Sequence, residues 1–254
     1  MSITPVPSGD VTVSVDGPIV TATFSRPEKR NALTQAMYHT VADTLEAADA
    51  DLGISVVVLT GSGVAFTAGN DLADFASGAS LDGVQHFLDA ISTVKVAVVA
   101  AVNGIAVGVG LTMLLHCDLV YVEPDAVFSV PFVSLGLVPE AGSSLLLPRV
   151  IGERRASDLL LTGRRITGAE AAEWGLANAA VSPVLDVALE AARRLSLQPP
   201  LALRATKALL RSDDTTVAGR MMQEMSCFAD ALIGPEFSEA NAARTEKRDP
   251  VFRR

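Results

Sequence analysis

Aromatic side chains are scarce in this chain of 254 residues: one Trp, two Tyr and nine Phe make up 5 % of it. Its 49 % hydrophobic content must therefore pack as an aliphatic core of Val, Leu, Ala and Ile, enough for one large core or two modest ones. Cysteine is scarcer still. Cys117 and Cys227 stand far apart, which suits a reducing cytosol, although spacing alone leaves a bridge between them open. No basic head followed by an apolar core opens the sequence, so no secretory leader is expected and a cytoplasmic location is. Cations are outnumbered, 20 Lys and Arg against 29 Asp and Glu, for a net charge of −9. That balance argues against nucleic acid as a partner and requires a local basic patch for any anionic ligand. There is no P-loop string and no GxSxG, so a hydrolase elbow has no support. The three histidines are scattered. His116, Cys117 and Asp118 are adjacent, and adjacent side chains do not converge on one ion in regular structure, so no metal is expected. Neither a sequence repeat nor a low-complexity tract occurs.

What is present centres on residues 96–118, VAVVAAVNGIAVGVGLTMLLHCD. The short β-branched run 96–102 reads as a strand buried on both faces. Asn103-Gly104 is a turn signal, and 111–115 reads as a helix. Glycines at 108 and 110 allow close approach to the backbone, and the first N–H groups of a helix are free, so this stretch can present donors to an oxygen that gains negative charge. Residues 96–115 also form twenty positions without a charge, the length of a bilayer span. Asn103 and three glycines interrupt that run and no other segment looks membranous, so no membrane association is expected.

Along the chain, 11–15 and 19–24 alternate about Asp16-Gly17-Pro18 and read as a hairpin. Three cations, Arg26, Lys29 and Arg30, cluster on the loop that follows; this is a solvated turn or a phosphate clamp. Thr34 can cap a helix to Ala50. A second buried strand at 54–60 ends in Gly61-Ser62-Gly63, which lacks the third glycine of a dinucleotide loop. Ala68-Gly69 is a small-residue turn, 71–80 a mobile polar segment, and 81–91 a helix. Strands follow at 119–122, 126–130 and 177–181, with a proline-bounded loop at 131–140 and helices at 141–150, 154–161, 168–174 and 184–197. Three helical stretches end the chain, 202–210, 216–233 and 236–247. The pattern predicts an α/β core over 1–195 and a helical C-terminal region over 196–254.

RPEKRNAL at 26–33, FTAGNDL at 66–72, AAVNGIAVGVGLTMLLHCDL at 100–119, FSVPFVSLGLVPEAGSSLLLPRVIG at 128–152 and TGRRITGAEAAEWGLAN at 162–178 stand in order. Together they resemble the motifs of the crotonase superfamily, the enoyl-CoA hydratases and isomerases, over nearly the whole chain. The resemblance implies a ββα spiral core, a C-terminal trimerisation region, and assembly as a homotrimer or dimer of trimers. It implies an acyl-CoA thioester as substrate, with no cofactor beyond its CoA moiety.

By position, the resemblance assigns the two oxyanion N–H groups to Ala68 and Val109. The two glutamates of the hydratases fall on Thr112 and Phe132, so the usual hydratase pair is gone. Glu140, in Val138-Pro139-Glu140-Ala141-Gly142, matches the single glutamate of Δ3,Δ2-enoyl-CoA isomerases. One carboxylate suffices for a 1,3-proton shift, and burial in its apolar loop raises its pKa while the following helix start lowers it. On general grounds the same carboxylate could simply cap that helix. Lys29 and Arg30 are expected at the CoA phosphates, Ala32, Ala68, Asp71 and Leu72 near the nucleotide, and Lys247 there too, from a neighbouring subunit. Phe132, Leu135 and Thr112 are expected around the acyl group, with Asp71 and Asp74 as reserve acids. A hydratase or other crotonase reaction, or a silent CoA-binding protein, are the alternatives.

Overall fold

A computed structural model describes residues 7–76, 81–212 and 216–252. β1 (Pro7–Ser8), β2 (Val11–Asp16) and β3 (Ile19–Phe24) form an antiparallel ribbon, with Val11 opposite Phe24 and Asp16 opposite Ile19 as the hairpin reading requires. α1 (Gln35–Ala50) begins where expected, its Met37 N–H bonded to the Thr34 hydroxyl.

The chain then winds through three similar turns, each a strand in one sheet, a short strand in a second sheet, and helix. These are β4 (Val56–Gly61), β5 (Ala65–Thr67), α2 (Leu72–Ala76) and α3 (Asp82–Thr93); β6 (Ala97–Val102), β7 (Ile105–Val107) and α4 (Val109–Thr112); and β8 (Leu119–Val122), β9 (Val127–Ser129), α5 (Ser143–Ile151) and α6 (Glu153–Thr162). β10 (Ile166–Thr167), α7 (Gly168–Glu173), β11 (Ala179–Ala180) and α8 (Val184–Ser196) complete the core, and α9 (Pro200–Arg211), α10 (Val217–Leu232) and α11 (Pro235–Glu246) follow. The first sheet runs β1-β2-β3-β4-β6-β8-β11 and is parallel from β3 onward; the second runs β10-β9-β7-β5. This is the α/β spiral that the motifs implied.

Physical reasons for the layers are local. Alternate residues of β4 and β6 face opposite ways. Val56, Val58, Ala97 and Val99 pack on Val184, Ala188 and Ala192 of α8, while Val57, Leu59, Val98 and Ala100 enter the main core. Covered on both faces, β6 carries six buried apolar residues in a row. The twenty uncharged residues at 96–115 are therefore strand, strand and short helix, and among the described residues no helix is long and apolar enough to cross a membrane. Both cysteines are free.

Several elements differ from the sequence reading. β5, β7 and β10 are two or three residues long, too short to leave a periodic signal. α2 forms inside the segment expected to be polar and mobile, while 77–80 lie outside the described residues. α4 starts at Val109 rather than Leu111 and passes into a 3₁₀ turn at Met113–His116. α5 starts two residues late because Ala141 and Gly142 are left-handed, with φ of 55° and 65°.

α9 packs Leu203 against the core and is fastened there by cations. Lys207 Nζ donates to Val96 O (2.6 Å) and pairs with Asp118 (2.7 Å), Arg211 pairs with Asp118 (3.0 Å), and Arg204 donates to Asp49 O (2.8 Å). These three side chains sit at i, i+3 and i+7 on one helix face. The expected division at 195/196 falls at the end of α8.

Candidate active site

Because β5 and β7 are parallel neighbours, the segments that follow them, 68–70 and 108–110, leave the second sheet side by side. Glycine permits the contact. A Cβ on Gly69 would lie 2.8 Å from Val107 O, and one on Gly110 would lie 2.7 Å from Thr67 Cγ2. Leu33 and Asn70 form a parallel bridge in which Leu33 N–H donates to Gly69 O (2.8 Å) and Asp71 N–H to Leu33 O (2.9 Å). Strand alternation turns the intervening Asn70 N–H the other way, and among the described residues it meets no acceptor. Val109 N–H also meets no acceptor among the described residues, because it is the first of α4 and lies ahead of that helix's own hydrogen bonds.

The expected pair of donors thus needs one correction. Ala68 N–H donates to Arg30 O at 2.9 Å and cannot serve a ligand; Asn70, two residues on, is the free donor beside Val109. In sequence, Asn70 is marked by nothing but a polar residue between Gly69 and Asp71.

Glu140 is half-buried at the end of the loop after β9. The Thr112 hydroxyl of α4 donates to its Oε1, while Oε2 is buried without a partner among the described residues. Desolvation raises its pKa, and the Thr112 bond opposes that shift without cancelling it. Its side chain does not cap α5: the N-cap is Gly142, with no side-chain bond. The backbone around it is held firmly. Ser143 donates through N–H (3.0 Å) and Oγ (2.6 Å) to Glu140 O, and His116 Nε2–H donates to Ala141 O (2.8 Å). Burial lowers the His116 pKa, so the ring is a neutral donor.

Tyr38 joins these groups. Buried against Phe87, it donates its hydroxyl proton to Asn70 Oδ1, and burial together with the nearby Glu140 charge raises its pKa well above the usual 10. Sequence reading missed Tyr38, Asn70 and His116. The first is indistinguishable in sequence from its apolar neighbour Met37 on the inner face of α1, and the tie from His116 to Ala141 spans two elements.

Other expected residues are placed as follows. Thr112 is wholly buried and bonded to Glu140; Phe132 is buried; Leu135 is 53 % exposed on a 3₁₀ turn. Arg26, the first cation of the basic loop, is internal: it pairs with Asp71 (3.0 Å) and Asp10 (3.3 Å) and donates to Ala32 O (2.8 Å). Lys29 and Arg30 are exposed. Asp71 is held by Arg26 and by the N–H groups of Ala73 (3.1 Å) and Asp74 (3.4 Å), which keep its pKa low; Asp74 accepts from Gln35 N–H (2.9 Å). Those bonds disfavour protonation of Asp71. Leu72 is exposed, and Lys247 ends α11 in a left-handed, exposed conformation. His116, Cys117 and Asp118 turn to Ala141, Met113 and α9, three different directions. Elsewhere, Asp43, Glu46 and His86 hold ligand-type atoms within 4.8 Å of one another, and His86 Nε2 lies 2.9 Å from Glu46 Oε1; none of these residues belongs to the site.

Two sheets wound by three strand–strand–helix turns, with free N–H groups after β5 and β7 and one desolvated carboxylate tied to α4, define a crotonase-type protein. The chain belongs to the enoyl-CoA hydratase/isomerase family, whose model matches residues 15–254. It is 34 % identical over 251 residues to 2,3-dehydroadipyl-CoA hydratase of Escherichia coli (96 % of this chain, 98 % of that one). It is 33 % identical over 251 residues to 1,2-epoxyphenylacetyl-CoA isomerase of the same organism (94 % and 96 %). The solved enoyl-CoA hydratase/isomerase of Pseudoalteromonas atlantica T6c is 42 % identical, with a TM-score of 0.78 over 96 % of this chain and 100 % of that one.

Proposed function

We propose that the protein is a cytoplasmic acyl-CoA double-bond isomerase that converts 3-enoyl-CoA to 2-enoyl-CoA. The observation that carries this reading is Glu140, a half-buried carboxylate with raised pKa, linked through α4 to the Val109 N–H, its Oε2 and that N–H both without a partner among the described residues. A raised pKa makes a carboxylate a stronger base and, once protonated, a competent acid near neutral pH. Glu140 removes a proton from C2. The electron pair passes into a dienolate whose thioester oxygen accepts from Asn70 and Val109 N–H, each such donor being worth about 3 kcal/mol in the transition state. The same carboxyl group returns the proton at C4. Hydration instead requires a positioned acid and base for water. Thr112 and Phe132 stand where the hydratase glutamates would, and Asp71 and Asp74 are committed to bonds within the protein.

CoA is the handle of the substrate in this reading and no further cofactor takes part. Lys29 and Arg30 offer the local positive charge that a polyphosphate needs against a net charge of −9. Ala32, Ala68, Asp71 and Leu72 flank that loop, and Lys247 reaches the nucleotide from a second copy of the chain. Assembly as a homotrimer or dimer of trimers is part of the proposal. α10 buries none of its residues within the single chain, and its Met221, Met222, Met225 and Phe228 are exposed.

Glu140→Gln tests the reading. Loss of 3-enoyl to 2-enoyl conversion by about a thousandfold, with CoA binding retained, is the expected outcome. Unchanged turnover removes it, and crotonyl-CoA hydration by the unaltered protein at a rate equal to isomerisation transfers the protein to the hydratases. Tight CoA binding without turnover on any enoyl-CoA indicates a silent binding protein.

A further inference from the structure

We infer that Thr112 is a positioning residue that makes the two oxygens of Glu140 unequal, reserving Oε2 as the one that takes and returns the substrate proton; this rests on the isomerase reading above. Thr112 is fully buried, three residues after Val109, with its own N–H bonded to Gly108 O at 3.0 Å. Its hydroxyl donates to Oε1, and among the described residues it has no other partner. Oε2 is likewise buried and has no partner among the described residues.

This asymmetry decides where the proton goes. A proton arriving on Oε1 would meet the hydroxyl hydrogen already there, and Thr112 would have to turn that hydrogen away from its acceptor inside a closed core. A proton arriving on Oε2 leaves Oε1 a carbonyl oxygen, which still accepts from Thr112. One arrangement therefore serves both half-reactions. In the first, the C2–H bond breaks, the O–H bond forms at Oε2 and the electron pair enters the dienolate. In the second, the O–H bond breaks and C4–H forms. No proton or electron is gained overall, and nothing rotates between the steps.

The bond also tunes the base. A hydrogen bond to a carboxylate is stronger than one to the neutral acid, so Thr112 holds Glu140 below the pKa that burial alone would impose. Two other titratable groups face this region. Tyr38 of α1 is held neutral by its raised pKa. His116 after α4 is held neutral by burial and bonds Ala141 O. Neither is a charged partner for Glu140 near neutral pH.

Thr112→Val keeps the shape and removes the hydroxyl, and Thr112→Ser keeps the hydroxyl and removes a methyl. Glu140 ionisation is read in the free protein by the carboxyl infrared band that Glu140→Gln abolishes, and turnover by the pH dependence of 3-enoyl-CoA isomerisation. In Thr112→Val, Glu140 should titrate about one pH unit higher, with the acid limb of the rate profile moving alongside it. kcat should fall about tenfold with KM within about twofold. Thr112→Ser should restore both, which a packing role for the methyl group would not. Unchanged titration and kcat in Thr112→Val overturn the inference, as does Thr112→Ser behaving like Thr112→Val. A shifted titration in a protein whose unaltered form isomerises no enoyl-CoA overturns the shuttle together with the isomerase reading, and leaves the Thr112–Glu140 bond standing.

Discussion

Glu140 is held in an environment that suits chemistry better than stability. Its pKa is raised in the folded chain above the ordinary carboxylate value, so folding favours the protonated acid. The stabilising contribution is therefore present below the unfolded pKa, near 4.3, and is lost as pH rises through the folded value. Above the folded pKa the ionised side chain destabilises the fold. Glu140→Gln, which is neutral at every pH, should melt ~2–4 °C higher than the unaltered protein at pH 8, and calorimetry at pH 4 should find that gap closed. A lower melting temperature at pH 8 would show that the carboxylate is well solvated after all. The Tyr38 hydroxyl, by contrast, contributes to stability through its bond to Asn70. Tyr38→Phe leaves Asn70 Oδ1 without its donor and should cost about 1 kcal/mol in denaturant unfolding.

At the scale of the element, the loop before α1 is shaped by a residue that carries no charge. Arg30 and Asn31 are both left-handed, with φ of 50° and 56°, so the chain turns sharply and leaves Lys29 and Arg30 outside. The buried Asn31 side chain holds that turn. It accepts from Arg26 N–H (2.8 Å) and donates to Ser62 O (2.9 Å) and Ala65 O (2.7 Å), while its backbone O accepts from Thr67 (2.6 Å). Asn31→Ala should destabilise by about 3 kcal/mol and raise the KM for acyl-CoA through loss of loop geometry, with unfolding curves and kinetics as the two measurements. A normal KM in the folded variant would separate the basic loop from CoA binding. The turn after β6 is equally tight. A Cβ on Gly104 would lie 2.1 Å from Val64 O, so only glycine fits where the chain passes the segment before β5 on its way into β7.

At the scale of the whole molecule, the C-terminal helices are attached but not enclosed. α9 is tied by Arg204, Lys207 and Arg211, whereas α10 presents Met221, Met222, Met225 and Phe228 to solvent at helical spacing, Met222 being 71 % exposed. A groove of about 480 Å³ lies between α9, α10 and α11, walled by Leu201, Ala205, Phe228, Leu232 and Phe237. An apolar face of this extent is expected to be covered by second and third copies. Light scattering should give three or six times 26.4 kDa, and Met222→Glu with Phe228→Glu should give one. A monomer at every concentration of the unaltered protein would remove the assembly from the proposal.

By itself, the sequence determined the long elements, while the spiral and the catalytic candidate Glu140 followed from its resemblance to the crotonase motifs. Buried apolar runs such as β6 and a capped helix such as α1 are local signals, set by hydrophobic period and by residue type. Tertiary structure alone decided which N–H groups are free and which carboxylate oxygen is bare. Ala68 and Asn70 look equally available in a string, yet one faces Arg30 O and the other faces away, because an isolated bridge to Leu33 fixes the direction of alternate amides. Thr112 and Glu140 meet across 28 residues for a similar reason: the loop after β9 folds back onto α4, and hydrogen-bond directions exist only after such distant segments have come together.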